Sequence, residues 1–342
     1  MKGSVIALDE IAGRKAAAHL VDGQLDDLLI APKDDSRPLP GAIYRAVCDR
    51  PVKGQGGMFV KLPEGGSGFL RGAKGLKPGQ TLLVQVTGWA EDGKATPVTD
   101  RILFKSRNAI VTPGAPGINV SRRIRDEEAR VGLLEIAHEV MGAVEGVGLI
   151  LRSVAAEADE AEVAGDIAAM RDLAAAVMAD VAGAAELLVE GPDPHELAWR
   201  DWANPEVLAD APGSFAVHGI NEMISTLQRA ELLLSGGALA FIEPTRALVA
   251  VDVNTGADTS PAAGLKANIA LARALPRQLR CRGLGGQITL DVAPMPKKDR
   301  LVFEQSLRAA FRSDAVETAL AGWTPLGHFE LQRKRERLPL DL

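Results

Sequence analysis

Two apolar runs that each end in an aspartate, LVAVDVN and QITLDVA, constrain this chain's fold more than any other feature. Asp252 and Asp291 stand 39 residues apart, and the interval holds one helix-like segment, LKANIALARALPRQLRCR, with apolar residues at helical spacing. Neighbouring strands joined by a helical crossover run parallel, so both acids are expected at the same carboxyl-terminal edge of one sheet. The alternation continues on either side, with strand ALAFIE before the pair and helix KKDRLVFEQSLRAAFR and strand HFELQR after it. The part of the chain from Gly236 onward therefore reads as α/β. The alternative for each acid is that a strand-end Asp simply caps a turn.

The first 235 residues are organised differently. Apolar stretches at 4–8, 16–21 and 25–30, separated by turn-like Gly13 and Gly23, suggest a small meander of strands. A linker follows from Pro32 to Pro40. Five short strand-like runs, AIYRAVCD, GMFVK, GSGFL, TLLVQVTGW and ATPVTDRILF, then fill about 65 residues, which fits a small closed barrel such as an OB-fold. The Pro- and Gly-rich VTPGAPGINV at 111–120 marks the next boundary. Helices begin at Asp126, where Asp126, Glu127 and Glu128 favour the positive end of a helix dipole. A strand GLILRSV precedes a long alanine-rich helix expected from about Glu160 to Leu188, and residues 191–220 are the least readable. A length of 342 residues at 46% hydrophobic suits two or three domains.

Charge is divided along the chain. Residues 41–125 carry a net +9 and residues 126–210 a net −16. A basic segment beside an acidic one can attract a polyanion to one face while the whole stays acidic at −6; the acidic segment taken alone reads as a solvated helix face, and the basic segment is the more informative half. Several chemistries are excluded. Cys48 and Cys281 form no Cys-x-x-Cys, so no disulfide framework or cysteine-ligated zinc site is encoded. His138-Glu139 lacks a second His four residues on, Ser67 completes no Gly-x-Ser-x-Gly elbow, and there is no Gly-x-x-x-x-Gly-Lys phosphate loop. The five scattered histidines read as structural or surface residues. No run approaches a membrane span, and acids interrupt the apolar start MKGSVIALDEIAGRK, so a soluble, unexported, cytoplasmic protein is expected.

A pair of carboxylates is sufficient protein ligation for Mg²⁺, which keeps waters or phosphate oxygens in its other positions. Asn254, two residues beyond Asp252, is placed to orient a carboxylate or a phosphate oxygen. In the basic segment Phe59 and Phe69 lie on adjacent expected strands among Lys53, Lys61, Arg71, Lys74 and Lys77. Exposed aromatics among cations on an OB surface make a stacking platform for single-stranded nucleic acid. The alternative is that both rings are barrel core. A metal site with such a platform points to phosphodiester hydrolysis.

These residues carry a resemblance. Through LVDGQLDDLLIA, GMFVKLPEGGSGFL, GKATPVTDRILF, VTPGAPGINVSRRI, GLILRS, SGGALAFIEPTRALVAVDVNTGA, KANIALARALPRQLRCRGLGGQITLDVAPM and HFELQRKR, the chain resembles the catalytic half of the bacterial ribonuclease E/G family. The resemblance implies a multidomain α/β (α+β) chain in which an OB-fold RNA-binding domain at 37–119 is inserted in a reduced RNase H-like region, 1–36 with 191–232. A 5′-phosphate sensor region at 120–190 and a DNase I-like catalytic domain at 233–342 would complete it. It also implies an endoribonuclease that cuts single-stranded RNA by Mg²⁺-dependent hydrolysis to 5′-phosphate and 3′-hydroxyl products, with ribosomal RNA processing or messenger RNA decay as its task. Asp252 and Asp291 would hold the metal, with Asn254 supporting them; Arg152 and Ser153 fall on the pair that senses a 5′-monophosphate. Phe59 and Phe69 match the family's aromatic pair, and Lys94, Arg333 and Arg335 are expected phosphate contacts.

There are departures from the family pattern. The stretch between Ala155 and Gly236 is short, and the zinc-binding Cys-x-x-Cys that joins subunits in the family does not follow, so no zinc and no zinc-linked assembly is expected, leaving room for a homodimer of another kind. Arg246 and Pro294 stand where relatives carry acids, which would weaken cation attraction near the pair. These departures motivate the alternative of a catalytically impaired RNA-binding protein on the same scaffold. A hydrolase acting on DNA is separated from an RNA enzyme only by the resemblance.

Overall fold

Short apolar stretches punctuated by the turn residues Gly13 and Gly23, both at positive φ, make the first strands. β1 (Ser4–Ile11), β2 (Arg14–Val21) and β3 (Gln24–Ile30) form an antiparallel meander. In the computed structural model, which describes residues 3–34, 36–52, 54, 56–91, 93–142, 146–258, 260 and 262–341, the chain divides into two units, Ser36–Ala203 and Met1–Asp35 with Asn204–Leu342. No helix among the described residues is long and apolar enough to cross a membrane.

The 36–203 unit begins with the strands β4 (Ile43–Val52), β5 (Gly57–Lys61), β6 (Ser67–Arg71), β7 (Thr81–Val86) and β8 (Thr96–Thr99). They pair in the order β4-β5-β6-β8-β7, and β7 returns to β4, closing a mixed barrel in which β6 and β8 run parallel. This is an OB-like five-stranded barrel, with Met58, Val60, Leu70, Val84 and Val98 in its core. The fifth run is shorter than its apolar pattern predicts. Beyond Thr99 the chain leaves the barrel, and Ile102 and Phe104 are buried in a different core.

That second core lies between a four-stranded sheet and two helices. The strands are β9 (Phe104–Lys105), β10 (Ala109–Pro113), β11 (Gly117–Val120) and β12 (Val147–Leu151), and the helices are α1 (Glu127–Met141) and α2 (Glu160–Ala179). Asp126 and Asp159 cap the two helices through their side chains. The alanine-rich helix stops at Ala179, before the expected Leu188. Arg45, buried on β4, binds the Asp180 carboxylate at 2.5 Å and donates to the Ala184 carbonyl at 3.1 Å and to Glu186 at 2.8 Å. These bonds take up acceptors past the helix end and turn the following residues into β13 (Glu186–Val189), which extends the barrel along β4. The unit ends with α3 (Pro194–Asp201), entered through a capping box from Asp193.

The other unit resumes with β14 (Val207–Ala209), which pairs parallel to β1, and the short helices α4 (Ser214–Val217) and α5 (Ile220–Leu227), which cover the meander through Phe215, Ile220 and Ile224. Next come β15 (Glu231–Leu233), β16 (Leu239–Pro244), β17 (Val249–Asn254), α6 (Ala263–Cys281), β18 (Gly286–Asp291), α7 (Arg300–Arg312), β19 (Thr318–Trp323) and β20 (Phe329–Arg333). Their strands form one mixed sheet in the order β15-β16-β17-β18-β20-β19, and β17 and β18 run parallel, as the helical crossover requires. α6 is buried on two sides. Leu271, Leu275 and Leu279 pack on the sheet, while Cys281 enters the core beneath the meander, where burial pushes its thiol up to about 12.

Candidate functional site

Asp252 and Asp291 are register partners at the ends of β17 and β18. In a parallel pair, opposed residues point to the same face about 4.8 Å apart, so the two carboxylates stand side by side. Each follows a buried residue, Val251 and Leu290, and each is itself exposed. Among the described residues Asp252 has no hydrogen bond or ion pair, and Asp291 meets only His328, whose Nε2 lies 3.8 Å from its Oδ1. Two uncompensated like charges directly opposed are unfavourable unless a cation joins them. The oxygen donors, their openness and the lack, among the described residues, of a lysine or arginine paired with either fit a hard divalent cation that retains water or phosphate ligands.

The surrounding chain fixes the pair. Asn254, on the same face, accepts from the Gly256 N–H at 2.8 Å in a tight turn, leaving its Nδ2 without a partner among the described residues. That turn requires glycine. Gly256 has φ 65°, and a Cβ there would come within 2.8 Å of the Gly237 carbonyl. Behind Asp291, fully buried Asn268 of α6 binds the main chain of one residue twice: Nδ2 donates to the Ala293 carbonyl and Oδ1 accepts from the Ala293 N–H, both at 2.9 Å. The sequence displays Asn268 as a polar residue inside an apolar helical stripe, a signal for a positioning residue that the motif match alone does not interpret. His328 carries no such signal, because it meets Asp291 only through the antiparallel pairing of β18 and β20.

Two expected departures change meaning in three dimensions. Arg246 lies in the turn that joins β16 to β17, at the opposite end of the strand from Asp252. Four strand residues at about 3.3 Å each put it beyond a Debye length of about 8 Å, so it does not weaken cation attraction at the pair. Pro294 is exposed in the segment that Asn268 holds, and its carbonyl packs on Gly264 of α6, where a Cβ would approach to 2.0 Å.

On the barrel, Phe59 and Phe69 are register partners across β5 and β6, with ring centroids 5.5 Å apart and planes tilted by 57°. They alternate with the core residues Met58, Val60 and Leu70, so both rings lie half-buried on the outer face and not in the barrel core. Phe69 covers Gly57, where a Cβ would come within 2.4 Å of its ring. The Arg50 guanidinium sits 5.0 Å from the Phe59 ring centre. Arg71, Lys74 and Lys77 are exposed, Lys61 pairs with Asp49 at 3.6 Å, and Lys53 lies outside the described residues.

The remaining expected contacts fall elsewhere. Lys94 is exposed and pairs with Glu91 at 2.9 Å. Arg152 precedes a short helical turn begun by Ser153; its guanidinium donates to the carbonyls of Ser106 at 2.8 Å and Arg200 at 2.9 Å and to the Asp201 carboxylate at 2.8 Å. Burial alone would raise Asp201, but Arg200 and Arg152 hold it below the ordinary carboxylate range. Arg333, expected to contact phosphate, is a core residue at 2% exposure. It is bound by buried Asp314 and donates to Thr318 Oγ1 at 2.7 Å, so it cannot reach a ligand. Arg335 is half-buried, with its guanidinium lying on Gly286.

A sequence profile described as the Ribonuclease E/G family matches residues 104–209 and 206–336. Ribonuclease G of Escherichia coli (strain K12) is 28% identical, over 94% of this chain and 78% of that protein. Ribonuclease E of Synechocystis sp. is 27% identical over 92% of this chain, which spans 52% of that protein. Ribonuclease G of Haemophilus influenzae is 25% identical over 78% of this chain and 62% of that protein. The matched segments contain the carboxylate edge, the Asn268 clamp and the Arg152 region, and the chain belongs to the ribonuclease E/G family.

Proposed function

We propose that the chain is an endoribonuclease that cleaves single-stranded RNA, using Mg²⁺ held by Asp252 and Asp291 and leaving 5′-phosphate and 3′-hydroxyl ends. The observation that carries this reading is the register pairing of two exposed, uncompensated aspartates inside a segment that matches the family. When bound, Mg²⁺ supplies Lewis-acid polarisation of the phosphate and a water of lowered pKa. The chain's own residues do the rest. Asp252 and Asp291 fix where the cation sits, Asn268 holds the backbone that follows Asp291, and the Asn254 Nδ2 is a donor for a carboxylate or phosphate oxygen. Phe59 and Phe69 give two unpaired bases a stacking surface, with Arg50 beside it as a cation for the backbone. The hydrolytic step adds water across the P–O3′ bond, the proton going to the leaving 3′-oxygen. Processing of ribosomal RNA precursors or decay of messenger RNA is the cellular task in this reading.

The test is cleavage of a 5′-monophosphorylated single-stranded RNA with Mg²⁺ or EDTA, by the parent and by the Asp252→Asn, Asp291→Asn double variant. Mg²⁺-dependent products from the parent alone are expected. Binding without products from the parent would make this an RNA-binding protein on a nuclease scaffold, and equal products from both proteins would remove the two aspartates from the reaction.

A further inference from the structure

Arg300 opens α7, and its guanidinium lies 4.3 Å from the centre of the Trp323 ring. The indole beneath it is locked. Trp323 packs edge-on against Phe329 with centroids 5.2 Å apart, lies 5.9 Å from Phe303, and donates from Nε1 to Glu304 Oε1 at 2.6 Å. Phe303 is fully buried and Phe329 almost so, which makes the stack a continuation of the sheet's core. Glu304, the acid one turn along the helix from Arg300, is thus engaged by the indole. Among the described residues no acceptor takes any Arg300 N–H, in contrast to the carboxylate or carbonyl partners of Arg45, Arg152, Arg280 and Arg333.

The location is as telling as the geometry. A Cβ on Gly327 would lie 3.5 Å from Arg300 Nη2, and the next residue is His328, whose ring reaches Asp291. These two contacts, one Cα step of about 3.8 Å and the length of a histidine side chain bound the guanidinium to within roughly 17 Å of Asp291, at the same end of the sheet. A guanidinium stacked on a fixed ring keeps its fork of donors at the rim of that ring, pre-oriented for a planar or tetrahedral oxyanion. A polyanionic strand entering a site with two carboxylates also needs cations nearby, and exposed Lys297 and Lys298 lie just before Arg300, separated from it by Asp299.

We propose that Arg300, held on Trp323, binds a backbone phosphate of the RNA within a few nucleotides of the scissile bond. This rests on the nuclease reading, since it needs RNA to reach the carboxylate edge. It assigns to Arg300 a substrate-positioning role distinct from the aromatic platform of the barrel.

The experiment measures affinity for a fluorescent single-stranded RNA in EDTA across a KCl series, for the parent and for Arg300→Gln and Arg300→Lys, with thermal melting as a check of folding. Losing one phosphate contact to a single strand lowers the magnitude of the log K against log salt slope by about 0.7, and Arg300→Gln should show this drop with affinity weaker by roughly three- to tenfold. Arg300→Lys, which keeps the charge without the fork, should retain most of the slope. A neutral methylphosphonate, moved along the RNA, should abolish the difference between parent and Arg300→Gln at one position within a few nucleotides of the cleavage site. An unchanged slope and affinity in Arg300→Gln, with a parent that cleaves RNA, would overturn the proposal and leave the nuclease reading standing. A parent that binds but never cleaves would sink the nuclease reading, while the slope change would still identify Arg300 as a phosphate contact.

Discussion

Arg152 and Arg300 occupy comparable places in their two units, each a partly buried guanidinium beside a tryptophan-bearing segment, and they differ in what the fold does with their donors. Around Arg152 the chain supplies two carbonyls and the Asp201 carboxylate. At the carboxylate edge the described residues supply Arg300 with an aromatic face and no acceptor, and they leave Asp252 without a cation. A charge saturated by its own protein stabilises a fold, whereas one left open at a fixed position is available to a ligand. The comparison separates structural from functional charges more sharply than charge counting along the sequence.

The most direct way to break this distinction is to remove an open charge. The Asp252→Asn, Asp291→Asn double variant should lose cleavage by at least roughly a thousandfold, because a metal's contribution is worth several kcal/mol in the transition state. RNA affinity in EDTA and the melting temperature should stay near those of the parent. A collapse in stability would mean the pair is structural. Removing a saturated charge should do the reverse. The Asp314 side chain is fully buried against Arg280 and Arg333, so Asp314→Ala leaves the Arg333 guanidinium without a carboxylate, while Arg280 keeps Asp26, and should cost about 3–5 kcal/mol in a denaturant titration.

The stacking platform sharpens the contrast by needing little charge. Phe59→Ala or Phe69→Ala should weaken RNA binding by about 1–3 kcal/mol per base, with the salt slope nearly unchanged, as read by fluorescence anisotropy. A changed slope with unchanged affinity would instead point to Arg50 and its neighbours.

Much of this was legible in the residues. Short apolar runs punctuated by turn residues located the meander and the barrel strands, and one helix between two aspartate-terminated runs required the parallel pair. Period two also fixed which way Phe59 and Phe69 face once Met58, Val60 and Leu70 were inside. The rest depended on partners far along the chain. Arg333 reads as a surface cation in HFELQRKR, and only Asp314, 19 residues earlier, brings it into the core. The end of α2 was hidden because alanine favours helix up to Leu188, while Arg45, 135 residues away from Asp180, binds the acceptors that stop it. His328 and Trp323 acquire their neighbours from strand order alone.

Converting a saturated charge into an open one is a milder test. Asp201→Asn should free one donor edge of Arg152 and raise the rate ratio between 5′-monophosphorylated and 5′-hydroxyl RNA by a few-fold over the parent, whose ratio should lie near one. A parent that already strongly prefers the monophosphate would show that a phosphate displaces Asp201 unaided. The smallest effect is one of pH. The folded value of Asp201 is lowered, so its pairing stabilises the 36–203 unit above the unfolded carboxylate value of about 3.9 and is lost as pH falls through the folded value. Acid titration followed by circular dichroism should show this component in the parent and not in Asp201→Asn.

The double hydrogen bond from Asn268 to Ala293 has a mechanical meaning. α6 has 19 residues, about 28 Å at 1.5 Å per residue, and its far end is anchored to the meander where Arg280 holds Asp26 at 3.1 Å. A rod gripped at both ends transmits displacement. The small N-terminal sheet, which holds none of the residues expected to touch RNA, is therefore the abutment against which the loop after Asp291 is kept in place.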